Sequence, residues 1–124
     1  MRVGVGAKQF GIDAELVPEV LKSLAKMPVE STGFHIFSGS QSLMADAICD
    51  SQTNAVDLAI ELSRHAPVAP RSIDIGGEIG IPYFRGDQPV RLKVISNNLE
   101  NVQRKMRNWR LCCSVPIRCL RIYS

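Results

Sequence analysis

Ser72-Ile73-Asp74-Ile75-Gly76-Gly77-Glu78-Ile79-Gly80 is the stretch on which the fold turns. Its first four residues alternate in polarity and read as a short strand. That strand runs straight into glycine. Residues without a β-carbon let several backbone amides converge on one anion, so a glycine pair directly after a strand is where phosphate cradles form. Read by itself the pair is a weak signal for phosphate and more often a turn. Its surroundings decide the matter. Before it, Pro67 and Pro70 end a pattern running from about Leu43 to His65, with Ile48, Ala55, Val56, Ala59 and Leu62 at helical spacing. Before that, Val29 to Phe37 reads as a second strand, with Phe34 and Ile36 facing opposite to His35 and Phe37, and it ends in Ser38-Gly39-Ser40.

The outer segments repeat the alternation. From Asp13, a side chain suited to capping, Leu16, Val20, Leu21, Leu24 and Met27 predict a helix that Pro28 stops, with Pro18 near its start, where a lost amide bond matters least. After the glycines come a turn-rich loop, Ile81 to Asp87, and a third helical pattern from about Val90 to Arg107. Strands separated by helices of this length are what parallel pairing requires. The expected class is therefore α/β.

The chain has 124 residues, the length of one ordinary domain, and its 45% apolar and 22% charged content is globular. No apolar run approaches the ~20 residues of a membrane span, and the first ten residues carry no secretion signature, so the expectation is a cytoplasmic protein without a membrane partner. Charge is uneven. Residues 1–90 hold seven Lys and Arg against eleven Asp and Glu, whereas residues 91–124 hold eight against one, Glu100. The basic end has Trp109 and Tyr123 but no interleaved stacking aromatics, and nucleic acid is not the expected partner.

Other motifs are weak. In Gly4-Val5-Gly6-Ala7-Lys8-Gln9-Phe10-Gly11 a dinucleotide loop would need glycine where Gln9 stands, and no Gly-Lys-Ser/Thr phosphate loop is present, which leaves glycines at a strand end. Cys49, Cys112, Cys113 and Cys119 include no Cys-x-x-Cys pair, and with His35 and His65 alone to help, a zinc site is not expected. Phe37 at a strand end is ordinarily packing, and His35 is read either as a satisfied core or mouth histidine or as a chemical group. Ser38-Gly39-Ser40 offers two hydroxyls at the carboxyl end of its strand. In an α/β barrel that end and the glycines after Ile75 would open onto one face, where ligands bind.

Taken together, Lys8-Gln9-Phe10-Gly11-Ile12-Asp13, Gly33-Phe34-His35-Ile36-Phe37-Ser38-Gly39-Ser40-Gln41 and Ile73-Asp74-Ile75-Gly76-Gly77-Glu78-Ile79-Gly80-Ile81-Pro82-Tyr83-Phe84 resemble consecutive blocks of the fold type III pyridoxal-phosphate decarboxylases, the ornithine/diaminopimelate/arginine group. The spelling is nearest to the branch that accompanies exosortase systems. The resemblance implies a partial (β/α)8 barrel of about three βα units over residues 1–106, followed by a non-matching, irregular basic tail over 107–124. It implies pyridoxal 5′-phosphate as cofactor, an amino-acid substrate of the basic or diamino type, loss of its α-carboxylate, and a homodimer. Ser40 would donate its hydroxyl to the cofactor phosphate, Gly76, Gly77 and the amide of Glu78 would supply backbone donors, and Phe37 would stack on the pyridine ring where the family usually has His.

The departures carry expectations too. Glu78 stands where the family has a third glycine, and its carboxylate would repel a phosphate dianion. The family's lysine that forms the Schiff base would fall upstream of Met1. The Glu-x-Gly-Arg-like block that supplies an acid to the pyridine nitrogen is matched by Arg110 to Cys119, which holds no Asp or Glu. A barrel takes about 250 residues. An incomplete gene product with a shifted frame from near Arg107, inactive as a free chain, is the reading these departures support. A non-catalytic, phosphate- or cofactor-binding half-barrel module is the alternative.

Overall fold

The computed structural model describes residues 11–37, 39, 41–75 and 79–113, the last five by their backbone alone. The elements follow in the order α1 (Val17–Leu24), β1 (Gly33–Ile36), α2 (Ala45–Ser63), β2 (Ser72–Ile75) and α3 (Leu92–Cys113). The strands pair in parallel, Gly33 with Ser72, Phe34 with Ile73, His35 with Asp74 and Ile36 with Ile75. This is a βαβ unit of the expected α/β kind. Among the described residues the sheet has two strands, so they show a mixed α/β unit and not a closed barrel. The glycine-bearing stretch 4–10, expected at a further strand's end, lies outside the described residues.

One face of the sheet is covered. Phe34, Ile36, Ile73 and Ile75 turn toward Ala55, Val56 and Ala59 of α2 and Val102 and Met106 of α3. Alanines at 55 and 59, both at most 2% exposed, keep the α2 surface low where it meets its neighbours. Leu99 bridges to a second cluster of Ala45, Ile48, Val90 and Ile95. Each fully buried aliphatic side chain here contributes roughly 1.5–3 kcal/mol relative to exposure. The apolar stripe of α3, Ile95, Leu99, Val102 and Met106, repeats every three or four residues, as a helix buried on one side must.

A polar residue sits inside the α2 stripe. Gln52 is buried, and its Oε1 accepts from Asn98 Nδ2 at 3.1 Å. The same Asn98 amide donates to the Cys49 carbonyl at 3.1 Å, and the Thr53 hydroxyl donates to that carbonyl at 2.9 Å. These bonds supply partners to groups that would otherwise be costly to bury and fix how α2 and α3 sit along each other.

Several expectations need correction. Asp13 does not cap α1, whose first turn follows Leu16 without a side-chain cap, although Pro18 does fall within the tolerant opening positions. Leu16 and Met27, expected on the buried face, are exposed, while Leu21 is buried. β1 is shorter than Val29–Phe37, and α2 begins two residues after Leu43. The third helix does not stop near Arg107: it continues to Cys113, through the first part of the stretch expected to be irregular. Residues 114–124 lie outside the described residues.

Candidate phosphate and cofactor site at the strand tips

Parallel pairing puts the carboxyl ends of β1 and β2 at one edge of the sheet. The last rung is Ile36 with Ile75. The chains meet again at a parallel bridge between Ser42 and Ile79, where Gly80 N–H donates to the Ser42 carbonyl at 2.7 Å and Ile81 N–H donates to Gln41 Oε1 at 3.4 Å. The described chain is thus paired at Ile36 with Ile75 and again at Ser42 with Ile79. Gly80 is needed there: a β-carbon at that position would stand 2.7 Å from the Gln41 carbonyl carbon and 2.9 Å from its oxygen. Gln41 itself takes a left-handed backbone, φ 58°, which turns the chain back toward its neighbour.

Phe37 is the expected site residue that the structure describes. It is 53% exposed, so it is not core packing. Ser40, Gly76, Gly77 and Glu78 lie outside the described residues. What is described around them is an exposed aromatic residue just past the end of β1 and two segments paired on both sides of them.

The face of the sheet opposite the helices carries His35 and Asp74. His35 Nδ1 stands 3.0 Å from Asp74 Oδ2. His35 is therefore not a core histidine. The sequence reading missed Asp74 as its partner, yet the signal was present: both residues sit one place before the last residue of a four-residue strand, and parallel register makes them neighbours. At the opposite, amino end of the strands, Arg71 pairs with Glu30 at 2.5 Å and its N–H donates to the Thr32 carbonyl. Beyond the tips, Asp87 Oδ2 accepts from the amides of Tyr83 and Phe84 at 3.2 and 3.0 Å, which closes the turn of the 81–87 loop. Among the described residues no helix is long and apolar enough to cross a membrane.

No protein-family model matches the chain. It is 24% identical over 111 residues to the L-glutamyl-[BtrI acyl-carrier protein] decarboxylase of Niallia circulans, covering 89% of this chain and 26% of that protein. It is 24% identical over 94 residues to a diaminopimelate decarboxylase of Thermoplasma acidophilum, covering 76% of this chain and 23% of the relative. A diaminopimelate decarboxylase of Methanocaldococcus jannaschii is 24% identical over 108 residues, or 85% of this chain and 24% of its own length. The chain spans about a quarter of the length of these curated relatives. Its distant relationship is to decarboxylases.

Proposed function

We propose that the chain carries the phosphate- and ring-binding βα units of a pyridoxal-phosphate-dependent decarboxylase acting on a basic or diamino acid. The double tie between strand tips, Ile36 with Ile75 and Ser42 with Ile79, is the observation that supports this most. When bound, pyridoxal phosphate supplies an electron sink for the pair left behind as carbon dioxide departs. The chain's own residues anchor and orient. The Ser40 hydroxyl and the amides of Gly76, Gly77 and Glu78 hold the phosphate, and the Phe37 ring presents an apolar face to the pyridine without offering it a proton. The Glu78 carboxylate weakens that hold. By itself the chain is expected to bind the cofactor and not to turn over.

The test measures two quantities on the purified chain: binding of pyridoxal phosphate by calorimetry, and release of labelled carbon dioxide from lysine, ornithine and diaminopimelate. Saturable binding without release is expected. Absence of saturable binding contradicts the site, and release of carbon dioxide contradicts the inactivity. The cytoplasmic location and a dimeric state belong to the same proposal.

A further inference from the structure

α1 stands apart from the rest of the described fold. Packing joins α2, α3, β1 and β2 to one another and leaves α1 aside, and its buried Leu21 belongs to neither core cluster. Yet the segment is amphipathic. Helical turns run through the backbone hydrogen bonds from Leu16 to Met27, and over that span Leu16, Val20, Leu24 and Met27 recur at the four- and three-residue spacing that puts them on one side. Leu16 and Met27 are exposed, and Val20 and Leu24 are half-buried. Single apolar residues on a surface need no explanation, but a contiguous stripe on a helix with little packing of its own marks a surface that something covers.

The charges beside the stripe say what. Glu15, Glu19, Lys22 and Lys26 are all exposed, and helical spacing sets all four along one flank of it. Acids fill the amino-terminal half of that flank and bases the carboxyl-terminal half. Turned end for end, the flank is its own complement. A second α1 lying antiparallel, with a two-fold axis level with the bond between Val20 and Leu21, sets Glu15 opposite Lys26 and Glu19 opposite Lys22. The ion pair that Glu19 and Lys22 make within each helix, 2.9 Å long, then meets its own copy across the axis. A parallel pair gains no such match.

We propose that this face of α1 docks a second copy of the same chain, antiparallel and two-fold symmetric, so that one patch serves as both halves of the interface. The inference gives the dimeric state proposed above its surface; it rests on that state and not on the cofactor. Two segments of this length bury less than the ~1,200 Å² of a standard interface, so association is weak and follows concentration.

Sedimentation of the ligand-free chain, from micromolar to millimolar concentration, reads the association. It increases with concentration and weakens with salt, which screens the flank charges. Lys22→Glu with Lys26→Glu, and separately Glu15→Lys with Glu19→Lys, each lower self-association about tenfold, as the loss of several exposed ion pairs does. An equimolar mixture of the two double variants associates again, which also shows that both are folded. Leu16→Ser weakens association and leaves the circular dichroism spectrum as it was. Self-association unchanged by either charge reversal, or a mixture of folded variants that stays apart, overturns the α1 interface and leaves the dimeric state standing. A chain that is monomeric at every concentration overturns both, and neither result touches the cofactor reading, which has its own titration.

Discussion

Gly80 passes so close to Gln41 that its missing β-carbon would sit 2.7 Å from the Gln41 carbonyl carbon. The neighbours in the way are backbone atoms, which cannot swing aside as a side chain can. Gly80→Ala therefore pushes segment 79–81 away from 41–42 and strains the Gly80 N–H bond to Ser42. The expected cost is roughly 1–3 kcal/mol of stability, read by urea unfolding, together with loss of phosphate-ligand binding. Retained binding at unchanged affinity would mean the bridge does not shape the site.

Glu78→Gly should act in the opposite direction on affinity. Two like charges 4 Å apart cost about 1 kcal/mol in bulk water and about 4 kcal/mol near a protein surface, so removing the carboxylate tightens pyridoxal phosphate binding by roughly tenfold. Calorimetric titrations at low and high salt check this, since the gain must shrink as salt screens the repulsion.

Asn98 ties α2 to α3 through the Gln52 side chain and the Cys49 carbonyl. Asn98→Ala removes the donor to the buried Gln52 Oε1, while the Cys49 carbonyl keeps the Thr53 hydroxyl, and is expected to cost about 1–3 kcal/mol. Ile48→Val, a deletion of one methyl group in the adjoining cluster, is expected to cost about 0.5–1.5 kcal/mol. Denaturant midpoints of the two variants give the comparison, and a larger loss for Ile48→Val would contradict the importance assigned to the polar contacts.

The Cys49 thiol is pushed above its ordinary value, first by burial and then by the nearby carboxylates of Asp46 and Asp50. Both causes disfavour the thiolate, so at any given pH less of it is available to react. The alkylation rate of Cys49, followed residue by residue with mass spectrometry, should rise with pH through a midpoint above that of a free cysteine measured alongside. A midpoint below that reference would contradict the packing of α2 against residue 94, whose carbonyl the thiol meets at 3.7 Å.

How much of this could be read before the structure varies by element. β2 was legible to the residue because alternation and flanking glycines and prolines bound it on both sides. The α2 stripe was legible because its apolar spacing coincides with burial at Ile48, Ala55, Val56, Ala59 and Leu62. Asp13 misled because a residue able to cap does so only if the chain enters the helix there, and the chain instead makes a turn to Leu16 before α1 begins. The extension of α3 to Cys113 ran against a change in composition at 107, and composition does not interrupt a backbone hydrogen-bond ladder. The His35–Asp74 pair needed the register, which no single strand's pattern contains. Phe37, ordinarily read as packing at a strand end, is exposed because β1 stops at Ile36 and no described helix covers the residue beyond it.

One measurement tests the shared strand-tip site most directly. Backbone amide spectra of the nitrogen-15-labelled chain, titrated with pyridoxal phosphate, report Ser40 on one tip and Gly76 and Gly77 on the other, with Arg71 at the amino end of β2 as an internal reference. The three tip amides should shift together along a single saturation curve while Arg71 holds still. Movement of one tip without the other, or two curves with different midpoints, would show that the strands do not share an anion.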